Sequence, residues 1–504
     1  MSTMKRARTA ALALLAATAV LLPVQHAGAN GAIPIPSLPT DFLTESFSGT
    51  PATANPLPYL PIPQNPFLSA NGTNSMHDDA YATNAYATSG PLGKNLKVRS
   101  ATYGVSECAT MAFDSHGRIV GLCGGLDGFK LRLIDPTTLR TIGADLKTSA
   151  RSLFPLQNPF TDICGGTYFS LSNDDVAYVV TTARQVIKVR VDAGGFTKLG
   201  SYDVSGVVPS GDCLVATLPD WSGRIFFVTQ GGVVGDIDPS TGSVKSLQLP
   251  AGEGIYNSIS GDETGAIYVV TDHKLYAVAA GSDGTPAIRW SAAYDRGSQQ
   301  KSGQLSQGSG TTPALIGSDI VAITDNADPR MHVQFYQRSG PDAGHLLCEA
   351  PVFGAGASDT ENSLTYAGTT DGASSVIVEN NYGYDGVQST MLGKTATGGV
   401  AKVTLNADHH TCGVDWTNPI VSPTPVPKVS LANGLLYLYA KPKSNILDDS
   451  WYLAAVDVRT GATRWMQRTG NGIQWNNHYA SIYLGPDGAA YMPTLAGLIR
   501  FRDQ

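Results

Sequence analysis

Residues 213–230 read CLVATLPDWSGRIFFVTQ, two runs rich in β-branched and aromatic residues on either side of Asp220-Trp221-Ser222-Gly223. That is the pattern of a strand, a tight turn and a second strand. It returns as ATMAFDSHGRIVGLCG (109–124), YFSLSNDDVAYVVTT (168–182), SISGDETGAIYVVTD (258–272), PALIGSDIVAITD (313–325), VSLANGLLYLYA (429–440) and ASIYLGPDGAAYMP (480–493), with no convincing amphipathic helix between copies. Most copies are followed by a second strand pair, such as FKLRLIDPTTLRTIG (129–143) or VVGDIDPSTGSVKSLQL (233–249). Inner hairpins near residues 108, 167, 213, 257, 312, 363, 429 and 479 make eight units, about 50 residues each, and four strands at that period mark a propeller. The expected fold is therefore all-β: an eight-bladed β-propeller of four-stranded antiparallel blades over residues 96–504. The last unit, ending LAGLIRFRDQ, has only three clear strands, so the segment Leu96 to Thr102 is expected to supply the fourth and close the ring, which removes an exposed edge.

Composition agrees with a folded chain: 42% of residues are hydrophobic and 15% charged, with 55 Gly and 30 Pro to make turns. Residues 1–29 combine Lys5, Arg6 and Arg8 with a short apolar run and end Ala27-Gly28-Ala29, the form of a secretory signal cleaved near Ala29. The mature chain is then expected outside the cytoplasm, extracellular or periplasmic. Cleavage takes three cations from the 34 and moves the formal charge from −7 to −10, which argues against nucleic acid as a partner. No later stretch is apolar enough to insert into a membrane. Residues 30–95 read as a Pro-rich extended arm and connector, and Asn74 to Tyr81 (NSMHDDAY) as a solvated link, with a plug carrying His77 or Asp78 as the other reading. Six cysteines in an exported chain favour disulfides. Cys108 and Cys123 face each other across the turn Asp114-Ser115-His116-Gly117, and pairings of Cys164 with Cys213 and of Cys348 with Cys412 would staple neighbouring units.

The segment Ala455 to Trp465, AVDVRTGATRW, fits the pattern AxDxxTGxxxW, with a looser copy from Ala277 to Trp290 and a similar strand entry at Gly310 to Leu315. In this it resembles the quinoprotein-like propellers, whose best-known members are alcohol dehydrogenases using pyrroloquinoline quinone. The resemblance implies the propeller fold, and implies that the cofactor's carboxylates would need cationic partners, for which Arg330, Lys428 and Lys441 are the candidates.

Strand counting sends loops from distant positions to one face, where acids and amides recur: Glu107, Asn257, Asp272, His273, Asp325, Asn326, Glu361, Asn362, Asn380, Asn381 and His478. Hard oxygen donors of this kind suit Ca²⁺, and the set also looks like the axial calcium sites of lactonase-type propellers. The expected metal set is Glu361, Asn362, Asn380, Asn381 and Asn257; the expected acid–base groups are Asp325, His273 and His478. His409 and His410 read as surface residues. GxSxG, HExxH and a Gly-rich phosphate loop are missing. Three functions follow for a small-molecule ligand or substrate: a calcium-assisted quinone oxidoreductase acting on an alcohol, a calcium-dependent lactonase-type hydrolase, or a non-catalytic binding propeller. Oligomeric state is not legible.

Overall fold

The computed structural model describes residues 32–38, 44–151, 162–165 and 167–504, so the signal segment lies outside the described residues. Eight antiparallel sheets of four strands follow one another, one of them enlarged to six. Blade one runs from Ser106–Phe113 inside to Leu146–Lys147 outside, and blades two to seven begin at Phe169–Leu171, Leu214–Pro219, Ser260–Gly261, Ala314–Ile316, Thr365–Thr370 and Lys428–Ser430. Blade eight takes three strands from the C-terminus, Tyr483–Leu484, Ala490–Thr494 and Gly497–Arg502, and its outer strand is Lys97–Thr102, paired antiparallel as Lys97↔Arg502 through Thr102↔Gly497. The ring is thus closed by the segment the sequence indicated.

Local chemistry explains the repetition. In the inner hairpins of blades one, three and four an Asp carboxylate accepts backbone N–H groups two and four residues on, as Asp114 does from His116 and Arg118 and Asp220 from Ser222 and Arg224. The fourth turn residue, Gly117, Gly223 or Gly265, has φ between 74 and 85°, where a β-carbon is strained. Strand residues alternate into the spaces between blades, so the core is divided among inter-blade clusters, such as Ala112, Leu122, Phe169 and Val179 between blades one and two. In blade seven Asp457 accepts the N–H groups of Arg459 and Thr460, and Trp465 is fully buried in the layer shared with blade eight. All six cysteines are paired: Cys108–Cys123, Cys164–Cys213 and Cys348–Cys412.

The Pro-rich arm crosses the face formed by the inner hairpin turns. Phe47–Gly49 adds a strand outside blade seven, Leu57 N–H bonds Leu431 O, Leu60 N–H bonds the Tyr366 hydroxyl, and Asn65 donates to Pro219 O. The segment after it differs from the solvated link expected. Asn74 and Met76 to Tyr86 are buried, and carbonyls between Thr73 and Asn84 receive inner-strand N–H groups of six blades: Phe113 to Thr73, Leu171 to Asn74, Gly261 to Ala80, Leu315 to Tyr81, Tyr366 to Thr83 and Val429 to Asn84. Inner strands of a ring have free edges toward the axis, and this segment supplies their partners. It is a plug. Among the described residues no helix is long and apolar enough to cross a membrane.

Candidate functional site

Above the plug lies an axial cavity of about 160 Å³, room for roughly ten waters or a small molecule. Met76 and His77 of the plug are in its wall, with Glu107 from blade one, Tyr168 from blade two, Asn257 from blade four, Glu361 and Asn362 from blade six, and His478 and Tyr479 from the entry to blade eight.

Of the residues expected at the mouth, five meet here: Glu107, Asn257, Glu361, Asn362 and His478. Glu361 accepts the Leu305 N–H at 2.9 Å. Burial pushes its carboxyl up to about 8, against the pull of that N–H and with Asp359 adding to the rise. Asn362 donates to Glu379 at 2.6 Å and to Pro425 O at 2.9 Å, leaving its Oδ1 buried without a partner. Asn257 donates to Ser309 O, and Tyr384 Oη lies 3.0 Å from Nδ1 of His478. Burial alone drives the Glu107 carboxyl far above the usual range, and its Oε1 has no partner.

The others are placed elsewhere. Asn380 donates to Ala357 O and Gly398 O, and Asn381 donates to Pro423 O while accepting from Thr360 and the Glu361 N–H, so both amides build the wall behind Glu361. Loop closure consumes the polar atoms that were expected to face a metal. Asp325 lies outside the cavity, 2.8 Å from His332 Nδ1; with His332 and Glu349 it offers ligand atoms within 4.8 Å of one another. His273 pairs with Asp272 at 2.8 Å, also away from the cavity wall. Of the expected cations, Arg330 is exposed. Lys441 is 3.6 Å from Asp449. Lys428 is buried beneath the cavity, 3.0 Å from Asp78, and also donates to Met76 O and Asn84 Oδ1. These lysines are held by acids because a buried ammonium needs a counter-charge. Arg151, the one cation in the cavity wall among the described residues, pairs with Asp162 at 2.8 Å. His409 lies 3.9 Å from Asp319 on the hairpin side.

Sequence reasoning passed over Tyr168 and Tyr479, and reached His77 only through the alternative of a plug. A signal for His77 was present: four polar or ionisable groups within the five residues SMHDD, in a chain with few charges.

A pH dependence follows from Glu361. The folded chain keeps this proton to about pH 8, whereas an unfolded glutamate releases it near 4.5, so unfolding releases a proton between those values and stability falls as pH rises through them. Each proton so linked contributes up to about 1.4 kcal/mol per pH unit. Asp79, raised to about 7 by burial, acts in the same direction. Urea denaturation from pH 5 to 8 is expected to show this fall, and Glu361→Gln to make it shallower; an unchanged slope in the variant contradicts the assignment.

No family model matches the chain. A stretch of 340 residues is 28% identical to an uncharacterized protein of Archaeoglobus fulgidus, covering 60% of this chain and 64% of the relative. The chain thus spans less than two thirds of that relative's length. In three dimensions the chain is similar to the WD40 domain of SCAP from fission yeast (TM-score 0.46, 10% identity, 81% of this chain and 98% of that one). It is similar also to BamB from Moraxella catarrhalis (TM-score 0.43, 11%, 83% and 94%) and to virginiamycin B lyase from Staphylococcus aureus (TM-score 0.39, 12%, 66% and 93%). None of these likenesses carries an argument about activity.

Proposed function

We propose that this chain is an exported propeller that binds a small molecule without net negative charge in its axial cavity, with a hard cation of the calcium type held by Glu361, Asn362 and Asn257. The observation that carries the reading is that Glu107 and Glu361 line one cavity, both half-buried with carboxyls that desolvation pushes upward, and neither paired with a cation among the described residues. An acid in that position takes a proton or a cation, and Arg151, the one cation of the chain in the wall among the described residues, is already paired with Asp162, which leaves an anionic ligand without a side-chain counter-charge. The unpartnered Oδ1 of Asn362 is a further oxygen donor of the kind calcium uses. When bound, such an ion would supply positive charge that keeps Glu361 ionised and draws ligand oxygens. The chain's own groups do the rest: Tyr168 and Tyr479 offer aromatic surface, the amides orient hydrogen bonds, and the plug leaves the ligand only the opposite face for entry. Three disulfides and no unpaired cysteine support export. A tricarboxylate quinone does not fit this cavity, because Lys428, Lys441 and Arg151 are each committed to an aspartate and Arg330 is outside.

Thermal melts of wild type and Glu361→Gln, each with calcium and with chelator, test the cation. Calcium at a hundredfold excess over its dissociation constant adds about 2.7 kcal/mol to a protein that binds it only when folded. Wild type is expected to melt higher in calcium and the variant to be insensitive. Equal melting temperatures in all four conditions overturn the metal.

A further inference from the structure

His77 has a tautomer that its neighbours dictate. Its Nδ1 is 3.1 Å from Asn84 Oδ1 and 3.4 Å from Ser363 Oγ. The Asn84 amide has one acceptable orientation: Nδ2 faces the carbonyls of Leu364 at 3.1 Å and Ala82 at 3.4 Å, and Oδ1 accepts from Lys428 Nζ at 2.7 Å. Turning it over would set an NH₂ against the ammonium and an oxygen against two carbonyls. Asn84 therefore offers His77 an acceptor, Nδ1 carries the hydrogen, and the lone pair is on Nε2. That Nε2 has no hydrogen-bond partner, the residue is 4% exposed, and it lies in the wall of the axial cavity.

Resting on the reading of the cavity as a small-molecule site, we infer that His77 contacts the ligand, accepting at Nε2 a hydrogen bond from a hydroxyl of an uncharged, polyhydroxylated small molecule of the sugar or polyol class. An unmade buried hydrogen bond costs about 1–3 kcal/mol, and here three side chains of one wall each hold a buried polar atom without a partner: the acceptors Nε2 of His77 and Oδ1 of Asn362, and Oε1 of Glu107, whose carboxyl burial pushes toward its protonated form. They call for a ligand whose groups both donate and accept, as hydroxyls do. An ammonium is disfavoured at the His77 end, because Asn84 Oδ1 links His77 directly to the Lys428 cation. An anion is disfavoured because Arg151, the one cation of the chain in the wall among the described residues, is committed to Asp162. Tyr168, with its ring centroid 6.2 Å from that of His77, and Tyr479 present the flat apolar surface on which C–H faces of such rings pack. Burial and the nearby Lys428 push the imidazole down to about 3, so it stays neutral even with Asp78 and Asp79 on the same segment.

Two measurements on the full chain test this. Nitrogen-15 NMR of histidine-labelled protein is expected to show one ring, lost in His77→Gln, with Nδ1 protonated, Nε2 unprotonated and no titration between pH 5 and 8. The reverse tautomer, or titration near the ordinary histidine value, overturns the assignment. Melting curves with glucose, galactose and myo-inositol are expected to rise for wild type with at least one probe, and His77→Phe, which keeps an aromatic ring against Tyr168, to lose about tenfold in affinity for it. Equal affinity in the variant overturns the role of His77 while leaving the cavity reading intact. No rise with any probe overturns the ligand class, and the calcium melt of Glu361→Gln reports separately on the cavity reading.

Discussion

Lys428→Met is expected to lower the stability of the folded protein by about 3–5 kcal/mol, the usual cost of removing one member of a buried ion pair. Both Lys428 and Asp78 are 0% exposed and 3.0 Å apart, and no other cation is paired with Asp78. Burial pushes Asp78 up to about 6 and Lys428 below its ordinary range, while each charge opposes the other's shift. Removing the lysine leaves the carboxylate with the Tyr86 hydroxyl at 2.5 Å and no counter-charge, at the point where the plug meets blade seven. Lys428→Met with Asp78→Asn removes both charges, so the double variant is expected to cost clearly less than the two single changes added. Lys147→Met removes a partner of Asp127 in a pair at 3.5 Å with side chains 57% and 61% exposed, and is expected to change stability by less than about 1 kcal/mol. Urea denaturation of the four variants decides; a Lys428→Met cost as small as that of Lys147→Met contradicts the buried pair.

Trp465→Ala is expected to cost about 3–5 kcal/mol, the range for emptying a buried aromatic site. The indole is fully buried between Phe47 of the arm, at a centroid distance of 6.2 Å, and Tyr437, at 6.4 Å. A β-carbon at Gly93 would stand 2.8 Å from the ring, so the backbone itself closes one side and the hole left by alanine cannot collapse easily. The indole Nε1 has no hydrogen-bond partner, which makes Trp465→Phe the informative companion: it keeps most of the apolar contact and relieves an unpaired donor. Its cost should be well below that of alanine. Equal losses for the two variants in chemical denaturation would show that the indole's shape, rather than apolar volume, holds blade seven to the arm.

The two residues differ in how far they could be read beforehand. Trp465 stands in AVDVRTGATRW, where Asp, Gly and strand alternation are local features, and local features dictated its turn, its strand and its burial. Glu361, Asn362, Asn257 and His478 reach the cavity because strand counting fixes which end of a blade a loop occupies. Counting could not separate Asn380 and Asn381 from them. Those amides are one or two residues past the end of a second strand, in a loop that strand counting sends to the same face, and whether an amide faces the axis or bonds the loop behind it depends on carbonyls from residues 357, 398 and 423.

From sequence alone the chain's repeat, its eight-blade count, its closing strand and the Cys108–Cys123 pair followed, the repeat and that pair from hydrophobic period and turn chemistry within about 50 residues and the closing strand from the one that the last unit lacks; the other two disulfides stood as one connectivity among several. The fate of SMHDD did not. A polar segment is solvated unless distant groups satisfy it, and the groups that do so here, Lys428, Leu364, Ser363 and the inner-strand N–H groups of six blades, come from across the whole ring. Only closure of the ring brings them to one axis, so the plug, the neutral His77 and the axial cavity belong to the tertiary structure.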